Sequence, residues 1–305
     1  SVDRRAYEQW SEGDWAIADL VMASAGEGKC LGCNQEGPLS ADHIGPISLG
    51  FAHSPNFRPL CVRCNAGKNN RMSHRDISEL LALEDAGHTV TSWQITALWD
   101  NCKTAVVDDT QALLLSKLLR IQQHNYLESL GRVAEAGLPD LLLQFLHPEF
   151  AHTRIELVDF DPATLTFGDI RHEPRQDGYA TSRGARMVRI AFDALRDYGA
   201  KTHRNLQVVD PLLVQPEDRD FQEVLDAEQS SGSPLRDQLI HVLSLDVSAE
   251  VRDEAFVPLT RQVVDPDASN RLRNALIQLL EAHSQVLFSR HQRGDAVSWD
   301  DFADG

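Results

Sequence analysis

Two Cys-x-x-Cys pairs constrain this chain more than any other feature. Cys30 and Cys33 form the first, and Cys61 and Cys64 the second. A pair with a two-residue gap sits in a tight turn and points two thiolates at one place. Two pairs complete a tetrahedral site with no open position, which makes the expected Zn2+ structural. In small domains such a site contributes roughly 10–16 kcal/mol, enough to fold a segment with little core of its own. Two disulfides would satisfy the same spacing. The chain begins SVDRRAYEQWSEGD, with no apolar signal core, and no run of 18 apolar residues follows. The expectation is therefore a cytoplasmic protein with no membrane span, where metal-bound thiolates rather than disulfides persist. The fifth cysteine, Cys102, has no partner at ligand spacing and reads as an ordinary buried thiol.

Between the pairs stands Asp42-His43. Asn56 follows, then Asn65 directly after the last cysteine, then Lys68. Leu39-Ser40-Ala41 leads in and Ile44-Gly45-Pro46-Ile47 leads out, which predicts a strand entering a hairpin. A carboxylate oxygen suits Mg2+ or Mn2+. A neutral imidazole beside it can take a proton from water. Together they meet the needs of a one-metal phosphodiesterase, in which the cation neutralises charge on phosphate and leaving oxygen. An isolated Asp-His pair is usually a surface feature; one bracketed by metal-binding pairs is not.

These residues resemble the three-part motif of the HNH, or ββα-metal, endonucleases. The likeness covers residues 29–75 and is most similar to the nuclease region of type IIS restriction endonucleases, many of which carry the same two cysteine pairs. It implies a hairpin and one helix around a single divalent cation. It implies that His43 is the general base, that Asp42 and Asn65 hold Mg2+ (or Mn2+), and that Asn56 fixes the loop and the His43 ring. It also implies that Lys68, one turn beyond Asn65, faces the phosphate. The third position is often His in that family and is Asn65 here. The chain starts on Ser1, compatible with a processed start or with a piece of a longer enzyme that also carries a recognition region.

Charge points the same way. Between His43 and Arg75 there is no Asp or Glu, but there are Arg58, Arg63, Lys68, Arg71 and Arg75. The whole chain carries −17. A basic window in an acidic protein is expected to neutralise phosphate in double-stranded DNA, with contact confined to that groove. A second Arg-rich stretch, with Arg171, Arg175, Arg183, Arg186 and Arg189, reads either as a loop that grips DNA, with Arg183 and Arg186 as its candidate contacts, or as a connecting loop plus a solvated helix start. Trp10 and Trp15 read as core, and His124 and His147 as structural.

The remainder reads as helical. Expected elements are an N-terminal helix over 3–25, a helix capped by Ser73-x-x-Asp76, one from Trp93, and a long one from Asp109 to Gly131 or Gly137. Pro139 starts a short helix ending at His147-Pro148. A β-hairpin is expected over 154–160 and 164–167, then helices over 182–198, 217–229, 235–245, 249–264 and 270–290. Residues 228–234 read as a linker, and the acidic end WDDFADG as mobile or docked on a basic surface. The fold expected is mainly α, α+β overall, with a small ββα-metal module embedded. The division is 1–28, 29–90, 91–228 and 235–305. Cutting both strands requires two sites, so a homodimer, or dimerisation on DNA, is expected. Two other readings stay open: a non-catalytic zinc-dependent DNA-binding module, and an HNH effector nuclease gated by a partner or ligand.

Overall fold

In the computed structural model the described residues are 20, 27–52, 56–146, 153–161, 166–174, 186, 188–195, 215–262 and 264–294. A three-stranded antiparallel sheet comes first: β1 (Glu27–Lys29), β2 (Glu36–His43) and β3 (Phe57–Cys61), in that spatial order. Helix α1 (Val62–Lys68) follows β3 directly. Then come α2 (His74–Asp85), α3 (Trp93–Cys102), α4 (Asp109–Glu135) and the single turn α5 (Pro139–Leu142). Strands β4 (Thr153–Asp161) and β5 (Thr166–Pro174) form a separate hairpin. Residues 188–195 are helical. The described chain closes with α6 (Pro216–Ser230), α7 (Pro234–Leu243), α8 (Ala249–Phe256) and α9 (Pro266–Arg293).

Helix α9 is the spine of the body, with α3, α4 and α6 packed on it. One buried cluster joins Leu49 and Phe51 to Ile77 of α2, Ile95 and Trp99 of α3, and Leu115 of α4. A second joins Tyr126 of α4 to Phe221 of α6, Leu239 of α7, Phe256 of α8 and Leu276 of α9. The sheet meets the body through the segment between β2 and β3. Phe51 bridges Thr91, the Ala52 amide donates to Val90 O at 2.8 Å, and the Ser92 amide donates to Gly50 O at 2.8 Å. The Phe51 ring stands edge-on to Trp99, centroids 5.1 Å apart. Gly50 has φ +93°, and a Cβ there would lie 2.6 Å from Ile95, so only glycine fits this approach.

Several expected helices are present, with revised ends. Ser73 and Asp76 form a reciprocal capping box on α2. Helix α4 runs through Gly131 and stops before Gly137, whose φ of +69° no ordinary helical residue adopts. The expected single helix over 249–264 is instead α8, a turn at Val257-Pro258 and a 3-10 turn at Leu259–Arg261; proline lacks the amide that would continue the ladder. The last helix begins earlier than expected, with Asp265 as cap and Pro266 in its first turn. β5 reaches Pro174, so Arg171 lies on a strand rather than in the expected loop.

The expected linker at 228–234 is pinned. Arg236 donates to Glu228 O at 3.0 Å, to Ser231 O at 2.6 Å and to Asp140 Oδ1 at 3.0 Å. Strand β1 had no counterpart in the sequence reading. The helix over 3–25, apart from helical Leu20, lies outside the described residues. So do Trp10, Trp15, His147, Arg175, Arg183 and the acidic end. Among the described residues, no helix is long and apolar enough to cross a membrane.

Candidate active site

The cysteine cluster is built from two turns. Cys30 and Cys33 lie just after β1, Cys61 ends β3, and Cys64 lies in the first turn of α1. All four sulfurs lie within 4.8 Å of one another. An ion bonded to four sulfurs at about 2.3 Å in a tetrahedron spaces them about 3.8 Å apart. Cys33 Sγ and Cys61 Sγ are 3.8 Å apart. Backbone amides converge on the cluster: Cys61 N and Gly32 N donate to Cys30 Sγ at 3.2 and 3.3 Å, and Cys64 N donates to Cys61 Sγ at 3.4 Å. Burial pushes the Cys30 thiol up, but the amides of Cys61, Cys33 and Gly32 more than offset this and bring it down to about 6. Cys64 is pushed up to about 12 by hydrogen bonds to Cys61, Cys33 and Cys30. Four crowded sulfurs cannot all ionise unaided; a soft divalent cation resolves that, and zinc fits the donor set. Cys102 is fully buried elsewhere, in the α3 core, and burial pushes its thiol up to about 12.

Asp42 and His43 end β2, opposite Arg58 and Phe57 of β3. The connection between the strands is a long excursion rather than a tight hairpin, and Asn56 ties it shut. Its Oδ1 accepts from Gly45 N at 2.7 Å, and its Nδ2 donates to Gly45 O at 2.7 Å and Ala52 O at 2.8 Å. Asn56 is fully buried, so these bonds have no water to replace them. The His43 ring lies against Phe57, centroids 4.5 Å apart. Asn65 of α1 reaches back to β2: its Nδ2 donates to Ser40 Oγ at 3.0 Å, and Ser40 Oγ donates to Leu60 O. β2, β3 and α1 thus bring Asp42, His43, Asn56 and Asn65 into one neighbourhood.

The five basic residues of the window divide into two groups. Arg58 turns inward: it pairs with Asp76, with Glu79 at 3.2 Å, and more distantly with Asp42 at 3.8 Å. Lys68 turns inward too, donating to Asp42 Oδ2 at 2.7 Å, to Ile44 O at 2.8 Å and to His43 O. Arg63, Arg71 and Arg75 are exposed. Arg75 also donates to Glu79 and to Leu31 O, which links α2 to the cysteine turn. Arg186 is exposed on its helical segment. Arg189, grouped with the second basic stretch, is instead buried and paired with Asp253 and Asp193. Burial pushes the Asp42 carboxyl up; Lys68 and Arg58 pull it back without restoring its ordinary value. Burial likewise pushes Lys68 down, against the pull of Asp76 and Asp42.

Asp42 and Asn65 are hard oxygen donors, so their chemistry fits Mg2+ or Mn2+. Ser40, Phe57, Asp76 and Glu79 also touch these residues, and no motif in the sequence marks them for it. Strand alternation would have set Ser40 on the face of Asp42, two residues apart. Nothing local announced that Asp76 both caps α2 and holds Arg58.

A family model described as Type II restriction endonuclease (RE_Alw26IDE) matches residues 1–287. No curated protein and no solved structure matches the chain.

Proposed function

The chain belongs to a type II restriction endonuclease family, whose substrate is DNA, and we propose that it cuts duplex DNA with an HNH-type, one-metal site. The observation that carries this reading is the Asp42-His43 pair at the end of β2, joined to α1 by Lys68 on Asp42 and Asn65 on Ser40, beside a four-cysteine cluster. In this reading the neutral imidazole of His43 accepts a proton from the attacking water. Phe57 keeps the ring from rotating away, and Asn56 holds the loop that follows it. Asp42 and Asn65 hold Mg2+ or Mn2+, which when bound supplies positive charge to the scissile phosphate and the leaving oxygen. The four cysteines hold a structural Zn2+ and fix α1, and so Asn65, against the sheet. Arg63, Arg71 and Arg75 contact the DNA backbone, and Arg183 and Arg186 add a second contact. Cleaving both strands takes two such sites, so the working species is a homodimer or a pair assembled on DNA.

The test compares wild type with His43→Ala on a mixed plasmid and phage DNA panel containing Mg2+. Discrete fragments from wild type, and a rate lower by about 10²–10⁴-fold in the variant at equal DNA binding, are expected. Equal rates would refute the role given to His43. Light scattering with and without DNA checks assembly; a strict monomer that cuts both strands together would sink the dimer.

A further inference from the structure

The environment of Lys68 is that of a cation site. Asp42 Oδ2, Ile44 O and His43 O all accept from one ammonium, and the Lys68 side chain is 9% exposed. An ammonium has three protons, and here each has an acceptor. A carboxylate with two carbonyls is a donor set that hard cations select. One of those oxygens belongs to Asp42, the metal ligand of the functional reading above, on which this inference rests. Two positive charges cannot share that oxygen in a half-buried site without strong repulsion.

We infer that Lys68 is the resident counter-ion of the metal site. Without divalent metal, its ammonium occupies the Asp42 carboxyl and holds residues 43–44 in shape. A divalent cation that takes Asp42 displaces it. The freed side chain lies one helical turn from Asn65, where it can meet a phosphate of the duplex. Metal loading and phosphate contact are thereby coupled through one side chain, and by linkage each strengthens the other. Lys68 sets the affinity for metal as well as contributing to DNA contact.

Mn2+ titration calorimetry on the zinc-loaded full chain, without DNA, tests this. Lys68→Met removes the competitor, so it should bind Mn2+ at least about tenfold more tightly than wild type, the loss of one charge-assisted hydrogen bond from the metal-free state. Asp42→Asn should abolish the site in either background. Unchanged or weaker Mn2+ binding by Lys68→Met, with Asp42→Asn still abolishing it, overturns the role of Lys68 alone. Mn2+ binding that survives Asp42→Asn overturns the functional reading and this inference with it. A second measurement needs no variant: acetylation of Lys68 in wild type, followed by mass spectrometry, should accelerate when Mn2+ is added. A rate indifferent to saturating Mn2+ would equally overturn the displacement.

Discussion

The segment 27–68 and the helical body are ordered by different forces. The segment's own buried cluster is Cys30, Leu39 and Leu60. Helix α1 fully buries no apolar side chain, and Val62 at its start is 67% exposed. A seven-residue helix with no apolar face is not stable alone. Its order comes from two cysteines, from Asn65 on Ser40 and from Lys68 on Asp42. The body instead has two large apolar clusters folded around α9. The difference teaches that polar anchors can build a rigid chemical site where a packed core would leave no room for substrate.

The largest test of this contrast is removal of zinc. Chelation should unfold the cysteine turns and α1, since it withdraws roughly 10–16 kcal/mol of ordering, while residues 44–52 stay packed on the body and its helical circular-dichroism signal persists. Thiol titration of the chelated, undenatured protein should then count the four ligands and spare Cys102, whose buried thiol is held at about 12. If the helical signal collapses together with the site, the two regions are not separately ordered.

Phe256→Ala probes the other side. Phe256 is fully buried and packs edge-on to Phe192 at 6.0 Å. Its truncation should cost about 3–5 kcal/mol and lower the melting midpoint by roughly 10 °C. Zinc content and cleavage at low temperature should stay as in wild type. Asn56→Ala should do the reverse, loosening the site more than the body, at about 1–3 kcal/mol for each of the three backbone groups it leaves unpaired. Cleavage assays should show a deeper fall than calorimetry does, because the loop beside His43 loosens. The smallest effect belongs to the exposed arginines. Arg63→Gln and Arg71→Gln should each reduce the salt slope of duplex binding by about 1, with the midpoint changed by no more than about 0.5 kcal/mol. Unaltered salt dependence would remove them from the DNA-facing set.

The cysteine cluster was legible because its spacing is local. A two-residue gap fixes where two thiolates point, and the structure gathers all four. The capping box at Ser73 is legible for the same reason, whereas two glycines, Gly131 and Gly137, are equal stop signals for α4 in the sequence and only the second ends it. The destinations of Arg58 and Lys68 were not. The window they share holds no acid, yet Asp42, Asp76 and Glu79 approach from just outside it once the sheet and α2 fold. Arg189 misled for a similar reason: Asp253, its buried partner, stands far along the chain. At 228–234, small polar residues suggested slack, but the guanidinium of Arg236 takes up the helix-end carbonyls. Pro258 is a breaker in the sequence itself, but the apolar spacing continues across it and hides the break between α8 and the 3-10 turn.

The bare surface of α1 has a consequence for how such an enzyme can change. Cys64, Asn65 and Lys68 are its anchored positions, whereas Val62, Arg63, Ala66 and Gly67 face solvent and owe nothing to a core. Substitutions at those outward positions alter what the helix offers a ligand without disturbing what holds the helix. Under the proposed function, the part of the molecule beside its cutting chemistry is thus the part freest to drift, and selection can adjust grip on DNA there without re-solving the fold.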